Sequence, residues 1–226
     1  MGRAARITIP GIPHHIVQRG NNREDVFFSD DDRRVYIRCL REHCGFYGLE
    51  VVGFCLMSNH VHLVATPLDE AAPAKALGRT HSQYASYMNE RLHRSGHLWQ
   101  GRFHACPLDG AHAFAALRYT ECNPVRAGLV AQAWEYPWSS AAAHVGVGGG
   151  RGLLDLAEWW KRRAPDEWRE VLRQPMPESD SEQLRVATAR GQPVGSDEFV
   201  DALELRLGRR LRARPVGRPA GRTRGK

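Results

Sequence analysis

The sequence predicts an α+β protein. Its core is a ferredoxin-like split β-α-β antiparallel sheet with helices on a face, followed by a helical C-terminal region and a basic tail expected to be disordered. Three observations predict this. The elements read strand, helix, strand, strand, helix, strand, helix over residues 14–123. The second and third strands are joined by a tight polar link, the mark of an antiparallel hairpin. A glycine-rich stretch, VGVGGGRG at 145–152, then separates this pattern from a helix-rich and finally arginine-rich end.

The first strand is expected in HHIVQRG (14–20), stopped by the turn-prone GNN. A helix follows, opened by a Ser/Asp cluster at 29–32, carrying Val35, Ile37, Leu40 and Cys44 at helical spacing, and ended by Gly48. LEVVGFCLM and HVHLVATP form the hairpin, and Pro67 closes it. Residues 71–94 make a long alanine-rich helix, and 103–108 a strand. GAHAFAALRYTECN is a helix that Pro124 stops or kinks. Beyond the glycine stretch, residues 153–174 predict one or two helices. Two more short helices flank a Gly/Pro turn, with Ser196 capping the second. The expected organisation is a catalytic domain over 1–145, a linker over 146–152, a small helical region over 153–208 and the tail over 209–226.

At 226 residues with 42% hydrophobic content the chain can bury a real core. Its net charge is +7, yet the last eighteen residues alone hold seven Arg and one Lys with no acid. Removing those eight charges leaves about −1 for residues 1–208, so the excess belongs to the tail. Such a tail is either a polyanion-binding arm or a solubilising end. Five cysteines, odd in number and without a CxxC pair, exclude a disulfide framework and a zinc ribbon. They fit reduced thiols in a cytoplasmic protein. No apolar run is long enough to span a bilayer, so no membrane partner is expected.

The chemistry-bearing residues lie in two places. His60 and His62 flank Val61 on a predicted strand, where side chains alternate, so both imidazoles share one face. Such a pair is a partial site for a divalent metal or simply two strand residues. Tyr119 and Asn123, four apart on a helix, also share a face. Asn offers a carbonyl oxygen suited to Mg²⁺ or Mn²⁺. Tyr offers a phenol that becomes a nucleophile when a metal or base assists. On the plainer reading, Tyr119 is a core aromatic and Asn123 a helix cap. Taken together, the four residues make a kit for attack on a phosphate, with a phosphotyrosine that conserves the bond energy for rejoining.

MSNHVHL followed downstream by YTECNPVRAGLV resembles the single-tyrosine HUH transposases, and within them most of all the REP-associated tyrosine transposases. PGIPHHIVQRGNNREDVFF, GHLWQGRFHACPL and YPWSS resemble further segments of that family, over about residues 9–145, and GQPVGSDEFVDALE resembles its C-terminal region. The resemblance implies His60 and His62 as metal ligands, Asn123 as the third ligand and Tyr119 as nucleophile. It implies nicking of single-stranded DNA with a 5′-phosphotyrosyl link and a free 3′-hydroxyl, on a palindromic hairpin with a guide sequence at its foot. The chain departs from the pattern at His14, where an aromatic is usual, and at Cys122, where a bulkier apolar residue is usual. His14 and His15 are expected to be strand or DNA-facing residues.

Arg19, Asn21, Arg23, Trp99, Gln100 and Arg102 interleave basic and aromatic groups in loops or at strand ends, and are candidates for contacting DNA. For Trp99 the alternative is a place in the core. Arg218, in VGRPAGR, matches an AT-hook in part and otherwise reads as a phosphate-contacting arm. The expected partner is single-stranded or hairpin DNA, bound by a monomer or homodimer. The alternatives are a domesticated hairpin-binding protein without turnover and an unrelated metal hydrolase. The second is disfavoured because only the distant Asp69 could add a carboxylate.

Overall fold

A computed structural model describes residues 6–212. The expected tail is described only as far as Arg212, and Arg218 lies outside the described residues. Strand β1 (His14–Arg19) leads through a 3-10 turn (Asn21–Arg23) into α1 (Asp30–Tyr47). The hairpin β2 (Leu49–Leu56) and β3 (His60–Pro67) follows, then α2 (Ala72–Arg91), β4 (His104–Pro107) and α3 (Gly110–Glu121). The four strands form one antiparallel sheet in the order β2-β3-β1-β4, the arrangement that the split β-α-β pattern requires.

Local chemistry sets the element ends. Ser29 and Asp32 make a capping box at the start of α1, and Gly48, at φ 68°, ends it in the left-handed region. The fully buried Asp32 carboxylate also accepts from Arg91 and Tyr87 of α2, so one cap ties two helices together.

The two sheet faces bury different partners. Ile16, Val61, Leu63, Phe54 and Leu56 belong to the core that α1 and α2 close with Tyr36, Leu40, Leu77 and Tyr84. Val64 and Cys106, on the other face, pack with Leu117 of α3. The helix comes close because Gly53 has no side chain; a Cβ there would lie 2.1 Å from Leu117 Cδ1. Gly53 also follows a β-bulge at Val51/Gly53.

After α3 come a short α4 (Asn123–Arg126), a 3-10 turn (Ala133–Glu135) and α5 (Ala141–His144). Residues 138–140 pair with the edge of β2, through Leu56 N–H to Trp138 O and Ser140 N–H to Phe54 O. The four helices that follow are α6 (Leu156–Arg162), α7 (Pro165–Arg173), α8 (Glu178–Arg190) and α9 (Asp197–Leu207). They do not stand apart from the sheet. Trp159, Trp168, Leu172, Leu184 and Ala187 share the second core with α3, and α8 packs on β4 and β1. Val194 bridges Leu108 and closes the β4 edge. Leu211 and Arg212, expected in an unpacked tail, are held instead. Leu211 is buried with Ile7, Ile9 and Leu203, and Arg212 pairs with Asp197, Asp201 and Glu204. The five cysteines are free and buried. Among the described residues no helix is long and apolar enough to cross a membrane.

Two core histidines give an acid-sensitive fold. His14, a buried strand residue of β1, accepts from Ile9 N–H and donates to Ile12 O, and burial lowers its pKa to about 4. His81 meets the Tyr36 hydroxyl at 3.0 Å beside Trp99, and burial lowers its pKa to about 3. Both are neutral when folded and take up a proton near pH 6.5 when unfolded, so their stabilisation is full above pH 6.5 and is lost as pH falls toward 4. Urea denaturation is expected to give a folding free energy lower at pH 5 than at pH 7 by at least about 4 kcal/mol, about 2 from each of these two histidines, with His15, His60 and His62, lowered by the same burial, adding to the loss. A flat profile over that range would contradict the assignment.

Candidate active site

The register of β3 against its neighbours places one set of side chains on the α3 face. His62 lies opposite Val17 and Cys55, and His60 opposite Arg19. The His60 and His62 rings are 4.9 Å apart, as their alternate positions on a strand demand. They line a cleft of about 460 Å³ together with His15, Arg19, Gln100, Arg102, Tyr119, Asn123, Arg126 and Thr188, among others.

Tyr119 reaches the histidines from α3. Its ring is 6% exposed and stands edge-on to His62 at 5.6 Å and to His15 at 5.8 Å. The guanidinium of Arg126 lies 4.7 Å from the centroid of the tyrosine ring. Asn123 is not the last residue of α3, as expected, but the first of α4, because the helix breaks at Cys122 and Pro124 has no N–H to continue it. Its amide still lies over the preceding turn. Asn123 Nδ2 donates to Tyr119 O at 3.3 Å, and since that carbonyl can only accept, the side-chain oxygen is left for another partner.

The protonation of His60 follows from its neighbours. Asn59 Nδ2 donates to Arg23 O, so Asn59 Oδ1 faces His60 Nδ1 at 2.6 Å. An amide oxygen only accepts, so His60 carries its proton on Nδ1 and keeps a lone pair on Nε2. Burial, then Arg19, lower the His60 pKa to about 4. Burial first, then the neighbouring His60, hold that of His62 well below the ordinary value. Neutral imidazoles are what a metal requires.

Among the described residues no group of three or more His, Cys, Asp or Glu is placed to hold a metal ion. The donor set that fits one is therefore mixed: two neutral imidazoles, one with its far nitrogen bonded to an amide oxygen as metal-binding histidines commonly have, and an amide oxygen from Asn123.

The other expected residues divide. Arg19, Gln100 and Arg102 line the cleft. Asn21 and Arg23 sit in the turn after β1, outside the cleft lining, with Arg23 at φ 64°. Trp99 is corrected: it is 8% exposed, donates from Nε1 to His81 O and packs against Tyr36 and Tyr84, so it offers no face to a base. His15, expected as a strand or DNA-facing residue, is a residue of strand β1. It is buried at the wall of the cleft beside His62, with Nε2 at 3.1 Å from His62 Nδ1.

Sequence reading missed a second groove. Arg6, Arg102, Arg190, Arg209 and Arg210 line a hollow of about 400 Å³ that shares Arg102, His104, Thr188 and Ala189 with the cleft. No acidic residue lines either one. Arg6, Arg102 and Arg190 come from the part of the chain whose net charge is near zero, so only folding reveals that they gather beside Arg209 and Arg210 at the start of the basic end.

The model of the family described as IS200-like transposases matches residues 8–123, a span that contains His60, His62, Tyr119 and Asn123. A REP-associated tyrosine transposase, solved bound to a REP hairpin, is 18% identical, with a TM-score of 0.56 over 69% of this chain and 90% of that one. At that identity the likeness is one of fold. A protein from Deinococcus radiodurans R1 described as a transposase is 24% identical over 46% of this chain and 84% of its own, with a TM-score of 0.36. No curated protein matches the chain.

Proposed function

The chain belongs to the IS200-like transposase family, and from that premise we propose that it nicks and rejoins single-stranded DNA at the foot of a hairpin through Tyr119. The observation that supports this best is convergence. The paired imidazoles of β3, the phenol of α3 and the amide of Asn123 line one cleft whose charged side chains are all arginines.

In this reading His60, His62 and Asn123 hold Mg²⁺ or Mn²⁺, which when bound polarises the scissile phosphate. Arg19, Arg102 and Arg185 draw the phosphate backbone into the cleft. The Tyr119 oxygen attacks phosphorus in line. An O–P bond to the tyrosine forms and the P–O3′ bond breaks. The phenol proton passes to solvent, and the departing oxygen takes up a proton as a 3′-hydroxyl. A cation over the phenol ring, here Arg126, favours negative charge as it develops during attack. The 5′-phosphotyrosine keeps the linkage energy, so an incoming 3′-hydroxyl can reverse the step.

The hairpin is proposed because the fold relative was solved with one. The groove carrying Arg6, Arg190, Arg209 and Arg210 would take the single strand leaving the cleft, with Asn21 and Arg23 contacting DNA from the turn after β1. Arg218 is proposed as a further phosphate contact. Residues 1–145 would then carry the chemistry, and 153–208, beyond the 146–152 stretch, would wall the cleft through α8.

A labelled oligonucleotide hairpin with a single-stranded foot tests this. With protein and Mg²⁺ or Mn²⁺ it is expected to give a protein–DNA adduct that survives denaturation and is lost with chelator. Hairpin binding with no adduct at any divalent metal would leave a binding protein and overturn the reaction.

A further inference from the structure

We propose that Thr188 of α8, acting through His15, is a positioning residue that fixes His62 in the tautomer with a free Nε2 lone pair. The proposal deepens the metal site of the proposed function and rests on that reading for its purpose, though not for its geometry.

The argument is a count of protons along a chain of short contacts. Thr188 Oγ1 lies 2.7 Å from Leu184 O. Two oxygens at that distance need a proton between them, and a carbonyl has none, so the threonine hydroxyl donates to Leu184. With its only proton committed, Thr188 can only accept from its other neighbours. His15 Nδ1 lies 2.7 Å away, so the proton between them belongs to His15. Cys106 Sγ lies 3.2 Å from the same oxygen and donates its S–H. The hydroxyl then has one proton given and two lone pairs used, its full capacity.

The next link follows. His15 is 1% exposed, and among the described residues no carboxylate pairs with it. An unpaired imidazolium there would be a buried charge without a partner, which is strongly unfavourable. His15 is therefore neutral, its one proton is on Nδ1, and its Nε2 accepts. The atom facing that nitrogen at 3.1 Å is His62 Nδ1, so His62 supplies the proton. A neutral His62 protonated on Nδ1 keeps its lone pair on Nε2.

The outcome matches that at His60, where Asn59 and Arg23 O fix the same tautomer. The two imidazoles are thus set alike by unrelated means, one from a loop next in sequence and one from a helix 173 residues from His15. The second route gives the C-terminal region a role beyond packing: α8 reaches the site through one hydroxyl.

Long-range ¹H–¹⁵N correlation spectra of the metal-free, ¹⁵N-labelled protein read the tautomers directly. Wild type and Thr188→Ser are expected to show His15 and His62 protonated on Nδ1. Thr188→Val, equal in shape but without the hydroxyl, is expected to show mixed tautomers at both. Calorimetric titration with Mn²⁺ is expected to give about tenfold weaker binding for Thr188→Val and wild-type binding for Thr188→Ser, the size seen when a partner behind a metal-binding histidine is lost. His62 protonated on Nε2 in wild type would overturn the proposal. So would a Thr188→Val protein with unchanged tautomers and unchanged Mn²⁺ affinity. The wild-type spectrum needs neither variant nor metal nor DNA, so failure here is distinct from absence of the hairpin adduct, which would count against the proposed reaction.

Discussion

Tyr119→Phe is expected to lower adduct formation by roughly three orders of magnitude or more, the scale on which loss of a nucleophile acts, while hairpin affinity stays within about twofold. The contrast rests on what the substitution leaves in place. The ring sits edge-on to His15 and His62 and under Arg126, and phenylalanine keeps all three contacts. The Asn123 amide bonds the main-chain carbonyl of residue 119, not the side chain, so that donor is undisturbed as well. Only the attacking oxygen goes. A denaturing gel with labelled hairpin measures the adduct, and fluorescence anisotropy measures binding. An adduct that persists in Tyr119→Phe would remove Tyr119 from its role. Equal loss of binding and adduct would mean that the hydroxyl anchors DNA instead of attacking it.

Much of this site could be read before folding because it depends on local periodicity. The two-residue repeat of a strand puts His60 and His62 on one face whatever the rest of the chain does, and Tyr119 and Asn123 stay neighbours across the kink at Cys122 because it disturbs only one turn. Caps were equally legible: Ser29, Gly48 and Ser196 act within a few residues of themselves. What stayed hidden depends on register or on distant chain. The doublet His14–His15 contains one histidine for each face, and nothing local says which meets the site. That was fixed by pairing His15 with Val64 and by the arrival of Thr188. Trp99 stands among basic and polar residues, which suggested a stacking surface, yet it closes a cluster of Tyr36, His81 and Tyr84 drawn from α1 and α2. The arginine groove escaped notice because Arg6, Arg102, Arg190 and Arg209 lie far apart in sequence.

The same dependence on distant chain makes Glu121 the residue whose loss should cost the fold most. It is completely buried at the end of α3, two residues from both Tyr119 and Asn123. One carboxyl oxygen accepts from Ser140 Oγ and meets His144 Nδ1 at 2.6 Å; the other accepts from Trp168 Nε1 at 2.8 Å. One side chain therefore joins α3 to the strand-like segment beside β2, to α5 and to α7. Ser140 in turn exchanges bonds with Phe54 of β2, and His144 stacks on Trp159 of α6. Glu121→Ala leaves His144 Nδ1 and Trp168 Nε1 in the core with no acceptor, leaves Ser140 Oγ only its longer bond to Phe54 O at 3.3 Å, and opens a cavity beneath Trp168. It is expected to lower the unfolding free energy by about 3–5 kcal/mol, the cost of breaking a buried paired group from one side. Glu121→Gln keeps the volume but turns an NH₂ toward one of the donors, and should lose a smaller part of that amount, about 1–3 kcal/mol. Urea titration followed by tryptophan fluorescence measures both, with Trp168 and Trp159 close to the change. A loss below about 1 kcal/mol for Glu121→Ala would mean that the C-terminal helices are held by their apolar contacts alone. In that case the placement of α8, and with it Thr188, would have to be explained by Leu184 and Ala187 against β4.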